Sequence, residues 1–439
     1  MKANAPVRSG RRVFYGWYIV GAMFFMVFIG VGARVGFGLF VDTWTGEFGV
    51  SVAALSAVAS AGWLANGLSQ PLFGSLADRV GGRIVVTSSM AVMGQGVVAM
   101  GLSPSIWVMA FFYAAVVSFA MGGTLFAPAV AVMVRWFRRK RGTAIAVLSA
   151  GASVGGMLLV PFMAYLLVLT SWRVTWITIG VIMILVAAPL LFLVVRNHPS
   201  EMGLEPDGDA PEVAEGASGA RNPELVGPLA VEEWRDAYRS APMWLLSFSY
   251  VVCGVTTATI SIHFVPYAID QGISTSIAAL AFGLLSLINL LGVLGVGVIS
   301  DRIQRKTALT AIYAMRAVAF LLLTLIPGAI GLWVFAAVAG FSWLATVPTT
   351  SALTAEVYGV KKTGTLTGVL SMVHQLAGAA AVLVAGITFT VFGTYAYAFA
   401  GMVVLLMLAA VATWLVNERA CSARFQGVLT LPRQAPEGV

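Results

Sequence analysis

Gly74-Ser75-Leu76-Ala77-Asp78-Arg79-Val80-Gly81-Gly82-Arg83 is a short, polar, glycine-rich hinge set between two long apolar runs. A weaker copy reads Gly297-Val298-Ile299-Ser300-Asp301-Arg302-Ile303-Gln304-Arg305-Lys306. Gly74 recurs as Gly297 and Asp78 as Asp301, an identical displacement close to half the length of the chain. A second landmark, Gly142-Thr143 with Val147-Leu148-Ser149, recurs as Gly364-Thr365 with Val369-Leu370-Ser371, at a displacement only one position shorter. Two landmarks repeated at nearly one distance divide the chain into two related halves. Each half carries a charged hinge between its second and third apolar segments.

Hydrophobic residues make up 59% and charged residues 10% of the chain, with a mean hydropathy of +0.92. A soluble domain carries about 25% charged residues. Apolar runs long enough to cross a hydrocarbon core of about 30 Å recur from end to end. Lipid offers no partner to an open backbone, so these runs form helices. Twelve spans fit, near 13–41, 51–77, 83–103, 105–134, 142–169 and 172–195, then 241–269, 274–300, 306–327, 329–354, 363–391 and 394–416. The expected fold is an all-α membrane protein of two pseudo-symmetric six-helix bundles, over 1–196 and 241–417, with a cytoplasmic linker at 197–240 and a tail at 418–439.

Lysine and arginine orient the spans. With a cytoplasmic N-terminus, the short inside segments hold 19 of them, and the outside loops hold one, Arg173. Both termini are therefore expected in the cytoplasm. The net charge of +8 follows from this bias and calls for no nucleic-acid partner, because the basic residues are scattered over turns. The basic N-terminus and first apolar run superficially suggest a signal peptide. The run is too long for one and lacks a small-residue cleavage pattern, so it reads as a retained span. The linker reads as flexible and acidic, with Val231–Arg239 able to form a short amphipathic helix at the membrane surface. Cys253 and Cys421 fall in a span and in the tail, and no disulfide, redox or metal role is assigned to them. No HExxH, GxSxG with plausible partners or Walker sequence marks an enzyme, and no cofactor is implied. Parallel six-helix halves are a transporter architecture, with the substrate site near the midplane between them.

The hinge pattern Gly-x3-Asp-Arg-x-Gly-x-Arg, placed between spans two and three, resembles the signature of the major facilitator superfamily over essentially the whole chain. The resemblance implies that Gly74, Asp78, Arg79 and Arg83, with Asp301 and Arg302 in the copy, brace the inner gate. It also implies that Asp78 pairs with a cytoplasmic arginine and Arg79 with an adjacent carboxylate. Finer features resemble the bacterial monocarboxylate transporter branch. These are Phe14-Tyr15-Gly16-Trp17, Gly32-Ala33-Arg34-Val35-Gly36-Phe37-Gly38, Arg135 to Gly142, Asn197 to Leu204, His263-Phe264-Val265-Pro266 and His374-Gln375-Leu376-Ala377-Gly378. Such relatives carry small organic anions such as lactate, pyruvate or oxalate, often with a proton.

Arg34 is the sharpest candidate for the anion. An arginine inside a span is costly unless it faces a cavity or a partner, and its planar fork suits a carboxylate. The alternative is snorkelling to the outer surface, since Arg34 lies ~31 Å along the helix from Val13. His263 and His374, with Gln375 beside the latter, can bind an anion and pass a proton. Asn66, Gln70, Tyr113 and Asn289 are candidate lining or interhelical bonds. Arg316, mid-span, is expected to find a polar partner on a neighbouring helix. Animal monocarboxylate transporters carry an Asp-x3-Arg pair where this chain has Asn289 and Val293. Asp42, Asp270 and Glu356 all lie near span ends, so a proton would travel on a histidine or on the substrate carboxyl. The competing reading is a drug or metabolite exporter working by proton antiport. The Ser149–Gly156 run matches the exporters' glycine-proline motif only in part, because its proline comes late, at Pro161. The fold is self-sufficient as a monomer in the lipid bilayer.

Overall fold

The computed structural model describes residues 13–50, 52–208, 224–426 and 428–430. Long helices dominate: α1 (Gly16–Phe40), α2 (Val52–Val80), α3 (Gly82–Gly101), α4 (Ile106–Trp136), α5 (Arg141–Leu169) and α6 (Trp172–Val194) in the first half. The second half holds α7 (Ala241–Asp270), α8 (Thr275–Arg302), α9 (Arg305–Leu325), α10 (Gly328–Tyr358), α11 (Thr363–Phe392) and α12 (Ala396–Leu415). Among the described residues, eleven helices are both long and apolar enough to cross a membrane. α2 has the length as well, with 29 residues. Its outer stripe, Leu64, Leu68, Leu72 and Leu76, is exposed, while Asn66, Ser69 and Gln70 are buried. Its polar face packs on protein.

Four of the helix irregularities precede a proline. A proline lacks the N–H of its turn and crowds the carbonyl four residues back. Wide π turns at Gly155–Leu159 and Met183–Ala187 precede Pro161 and Pro189. The helix breaks at Leu125, before Pro128, and at Trp343–Ala345, before Pro348. The second break frees carbonyls that lipid could not satisfy. Arg316, fully buried, donates to the Ser342 and Trp343 carbonyls and to Thr256 Oγ1 at 3.0 Å. Its polar partners thus come from α7 and the α10 break.

Each half has its own core, built on Met23, Trp44, Met90 and Trp176 in the first and Tyr313, Phe320, Phe335 and Leu406 in the second. The halves meet where α2 packs on α11 and α5 packs on α8. The linker is more ordered at its ends than its composition suggests. Glu201 Oε1 accepts from Asn197 N and His198 N, and Asp207 accepts from Arg138 N and Arg139 N at 2.9 and 2.8 Å. Glu224–Val226 pairs antiparallel with Val428–Thr430 of the tail. The helix expected over 231–239 is confined to Trp234–Ala237. Both cysteines are free and buried.

Candidate functional site

The two repeated landmarks meet crosswise. Asp78, at the end of α2, accepts from Gly364 N (3.0 Å), Thr365 N (2.7 Å) and Thr365 Oγ1 (2.7 Å) at the start of α11. Asp301, at the end of α8, accepts from Gly142 N (2.8 Å), Thr143 N (2.8 Å) and Thr143 Oγ1 (2.7 Å) at the start of α5. A helix start offers unpaired N–H groups and a positive dipole end, so a carboxylate there is favourable. Each half caps a helix of the other.

This geometry corrects the pairing expected for the hinge. The primary partners of Asp78 are backbone N–H groups rather than an arginine, with the Arg135 charge acting on it from nearby. Arg79 is exposed and has no carboxylate partner among the described residues. Arg83 uses its N–H on Asn197 Oδ1 and its Nε on the Phe192 carbonyl, both at 2.9 Å. In the copy, Arg302 is exposed, and the buried work falls to Arg305. Its Nη2 lies 3.1 Å from Asp301 Oδ1 and 3.0 Å from Glu356 Oε1. In the first half the repeat places Val134 as the counterpart of Glu356, so the two hinges differ electrostatically.

The glycines allow the close approach. A Cβ at Gly74 would lie 2.1 Å from the Gly364 carbonyl oxygen, and one at Gly297 would lie 2.2 Å from the Ala146 Cβ. A second pair of bridges sits deeper. Asn66 Oδ1 accepts from Gln375 Nε2 at 3.0 Å, joining α2 to α11. Asn289 Nδ2 donates to Ser153 Oγ at 2.8 Å, joining α8 to α5. Asn66 and Asn289 are related by the displacement that separates the hinge glycines, and Ser153 and Gln375 by that of the second landmark. The helix from Asn66 to Asp78 is ~18 Å long, so the contact between halves is sealed over that depth.

Arg34 turns inward from α1. Its guanidinium carbon lies 3.7 Å from the centre of the Trp63 ring, and Nη1 contacts Asn66 Oδ1 at 3.4 Å and Met121 Sδ at 3.9 Å. Nη2 is buried with no hydrogen-bond partner. Arg34 borders a cavity of about 10 Å³ lined also by Tyr113, Ser118, Met121 and Trp176, the size of one water. Asn66 therefore links Arg34 to Gln375 of the other half and donates to the Ser118 carbonyl. Gln70 is buried one turn further along, with Oε1 unpaired.

His374 packs its ring on Tyr250 with centroids 5.0 Å apart, next to the Gln375 bridge. His263 is held elsewhere, between Tyr395 Oη at 3.3 Å and the Val382 carbonyl at 3.0 Å. The structure thus gathers Arg34, Asn66, Tyr113 and Gln375, with His374 adjacent, and places Asn289 on the opposite pair of helices. Trp63, Met121 and Ser153 were not among the sequence candidates. The repeat offset alone points to Ser153, as the counterpart of Gln375, while Trp63 leaves no comparable signal.

Comparison with known proteins gives a consistent picture. The chain is 26% identical over 410 residues to the uncharacterized MFS-type transporter YcxA of Bacillus subtilis, covering 90% of this chain and 93% of that one. It is 24% identical to monocarboxylate transporter 12 of Rattus norvegicus, over 62% of this chain and 59% of that one. In three dimensions it resembles the proton:xylose symporter XylE (TM-score 0.69, 14% identity, 94% and 98% of the two chains). It also resembles the fucose transporter FucP in its outward conformation (TM-score 0.67, 13% identity, 90% and 97% of the two chains). These relatives are transporters, not enzymes, and their fold is that of a multi-pass membrane protein. Residues 23–382 match the profile of the Major Facilitator Superfamily, and the chain with its crosswise-capped halves belongs to that family.

Proposed function

We propose that the protein moves a small monocarboxylate-like organic anion across a bacterial cytoplasmic membrane by alternating access, as a monomer with twelve spans. In this reading α2 is the twelfth span, and the hinge face, with both termini, is cytoplasmic. The conformation described is then the one closed at that face, because all four bridges between halves lie along the hinge-side portions of α2, α5, α8 and α11. The observation that carries the reading is Arg34 Nη2, a buried guanidinium nitrogen with no partner. A carboxylate would supply the missing acceptor in a geometry the fork already favours. The cavity beside it holds only a water, so an anion enters as the halves rearrange.

Asn66 and Gln375 would transmit anion binding between halves, and Tyr113 would line the site. His374 is the better placed histidine to carry a coupled proton, because it adjoins the Gln375 bridge, whereas His263 is held apart between Tyr395 and Val382. The test is counterflow in liposomes with a panel of monocarboxylates and a panel of cationic dyes, at two pH values. Carboxylate exchange lost in Arg34→Gln supports the proposal. Dye exchange without carboxylate exchange would assign the protein to the exporters instead, and full-rate carboxylate exchange by Arg34→Gln would remove the anchor.

A further inference from the structure

The outer flank of the first hinge carries three arginines that the gate does not use. Arg79 is exposed at the end of α2 and has no partner among the described residues. Arg83 opens α3 and lies over the Phe192 ring at 4.4 Å. Arg196 follows α6, with Nη1 on the carbonyls of Leu193 and Val195. Asn197 ties them into one corner: its amide abuts Gly81 and accepts from Arg83 N. Glu201 is the nearby carboxylate, but one of its oxygens accepts from Asn197 N and His198 N.

The corresponding corner of the second half is built differently. There the carboxylate of Glu418 caps the start of α9, accepting from Arg305 N and Lys306 N at 3.1 and 2.8 Å, where the first half has the neutral Asn197. The tail also covers the second hinge, with Arg424 donating to the carbonyls of Asp301 and Ile303. The first hinge has a neutral cap and, among the described residues, no such cover. Beside it run exposed apolar side chains, Val80, Ile84, Phe192 and Leu193.

We propose that this corner between α2, α3 and α6 binds the headgroup of an anionic phospholipid, with Arg79, Arg83 and Arg196 on the phosphate and the acyl chains along Ile84, Phe192 and Leu193. Arginine suits the ligand because its fork matches phosphate oxygens. A basic pocket between membrane helices at the headgroup level is where such lipids are held. The apolar flank distinguishes a lipid from free phosphate, which would gain nothing from it.

The test is native mass spectrometry of the full chain with phosphatidylglycerol and phosphatidylcholine of matched acyl chains. The wild type is expected to retain phosphatidylglycerol preferentially. Arg79→Gln with Arg196→Gln should weaken it about thirty-fold, whereas Lys at both positions should retain most of the binding. Unfolding temperatures of the variants establish that the fold is intact. The proposal is overturned if the Gln pair keeps the preference. It is also overturned if Arg302→Gln with Arg419→Gln, on the other corner, lowers it equally, since that would mean diffuse attraction. Displacement of the lipid by inorganic phosphate would likewise overturn it, as a free-anion site.

Discussion

Asp78→Asn isolates one of the two crosswise caps. The carboxylate accepts three bonds from the first residues of α11, and these exist only while the two halves are together at the hinge face. Loss of a helix cap costs about 1 kcal/mol, and loss of the negative charge at the helix start removes up to about 1 kcal/mol more. The asparagine retains one acceptor but turns its NH2 toward a second N–H. The closed arrangement is therefore expected to weaken by about 2 kcal/mol, or about thirty-fold relative to the arrangement open at that face. Asp301→Asn should weaken it by a similar amount, because Asp301 accepts the matching three bonds from the start of α5. The caps share no partner, so the double variant should combine the two effects.

Spin labels on the exposed Lys140 and Lys361 positions, with Cys253 and Cys421 replaced, read the separation of the halves by double electron–electron resonance. The expected result is a long-distance population that grows from wild type through Asp78→Asn to the double variant. An unchanged distance distribution in the double variant would refute the assignment of the caps as the element that holds this face closed.

Gly74→Val places a side chain against the Gly364 carbonyl, and overpacking of this kind costs about 1–3 kcal/mol. It should hold the hinge face open and increase labelling of cysteines introduced between α2 and α11, and wild-type labelling would count against the close contact. Ser153→Ala leaves the Asn289 Nδ2 donor without its bond across the halves. The expected loss is about 1 kcal/mol, seen as a smaller shift in the same distance measurement. Burial pushes the Glu418 carboxyl above the ordinary carboxylate range, against the opposing N–H groups of Lys306 and Arg305. A raised acid binds its proton more tightly when folded. Its contribution to stability is thus fully present below the unfolded value of about 4.3 and is lost as pH rises through the raised value. Glu418→Gln should therefore flatten the acid-side dependence of unfolding temperature, and an unaltered slope would show that this carboxyl is not the titrating group.

The repeat, the helical class and the hinge were legible because each rests on local chemistry. Runs of apolar residues must be helical in lipid whatever surrounds them, and a constant displacement between landmarks survives divergence of the side chains between its ends. Arg34 stood out for the same reason: a charge in an apolar run is conspicuous without a structure. The partners were a different matter. Asp78 and Thr365 come from opposite halves of the chain, and nothing local distinguishes an aspartate that pairs with arginine from one that caps a distant helix. Arg302 and Arg305 are equally basic in sequence, yet only the turn between α8 and α9 sends Arg305 into the buried cluster and leaves Arg302 outside. The polar face of α2 could be read as cavity lining or as interhelical bonding, and Asn66 proves to be a hub because α1, α4 and α11 converge on it. Residue chemistry and spacing thus settle that there are two helical halves with a charged hinge in each. Which half caps which, and whether Arg34 snorkels outward or turns in, follows from helix packing, since only the packed helices bring acceptors to donors that are remote along the chain.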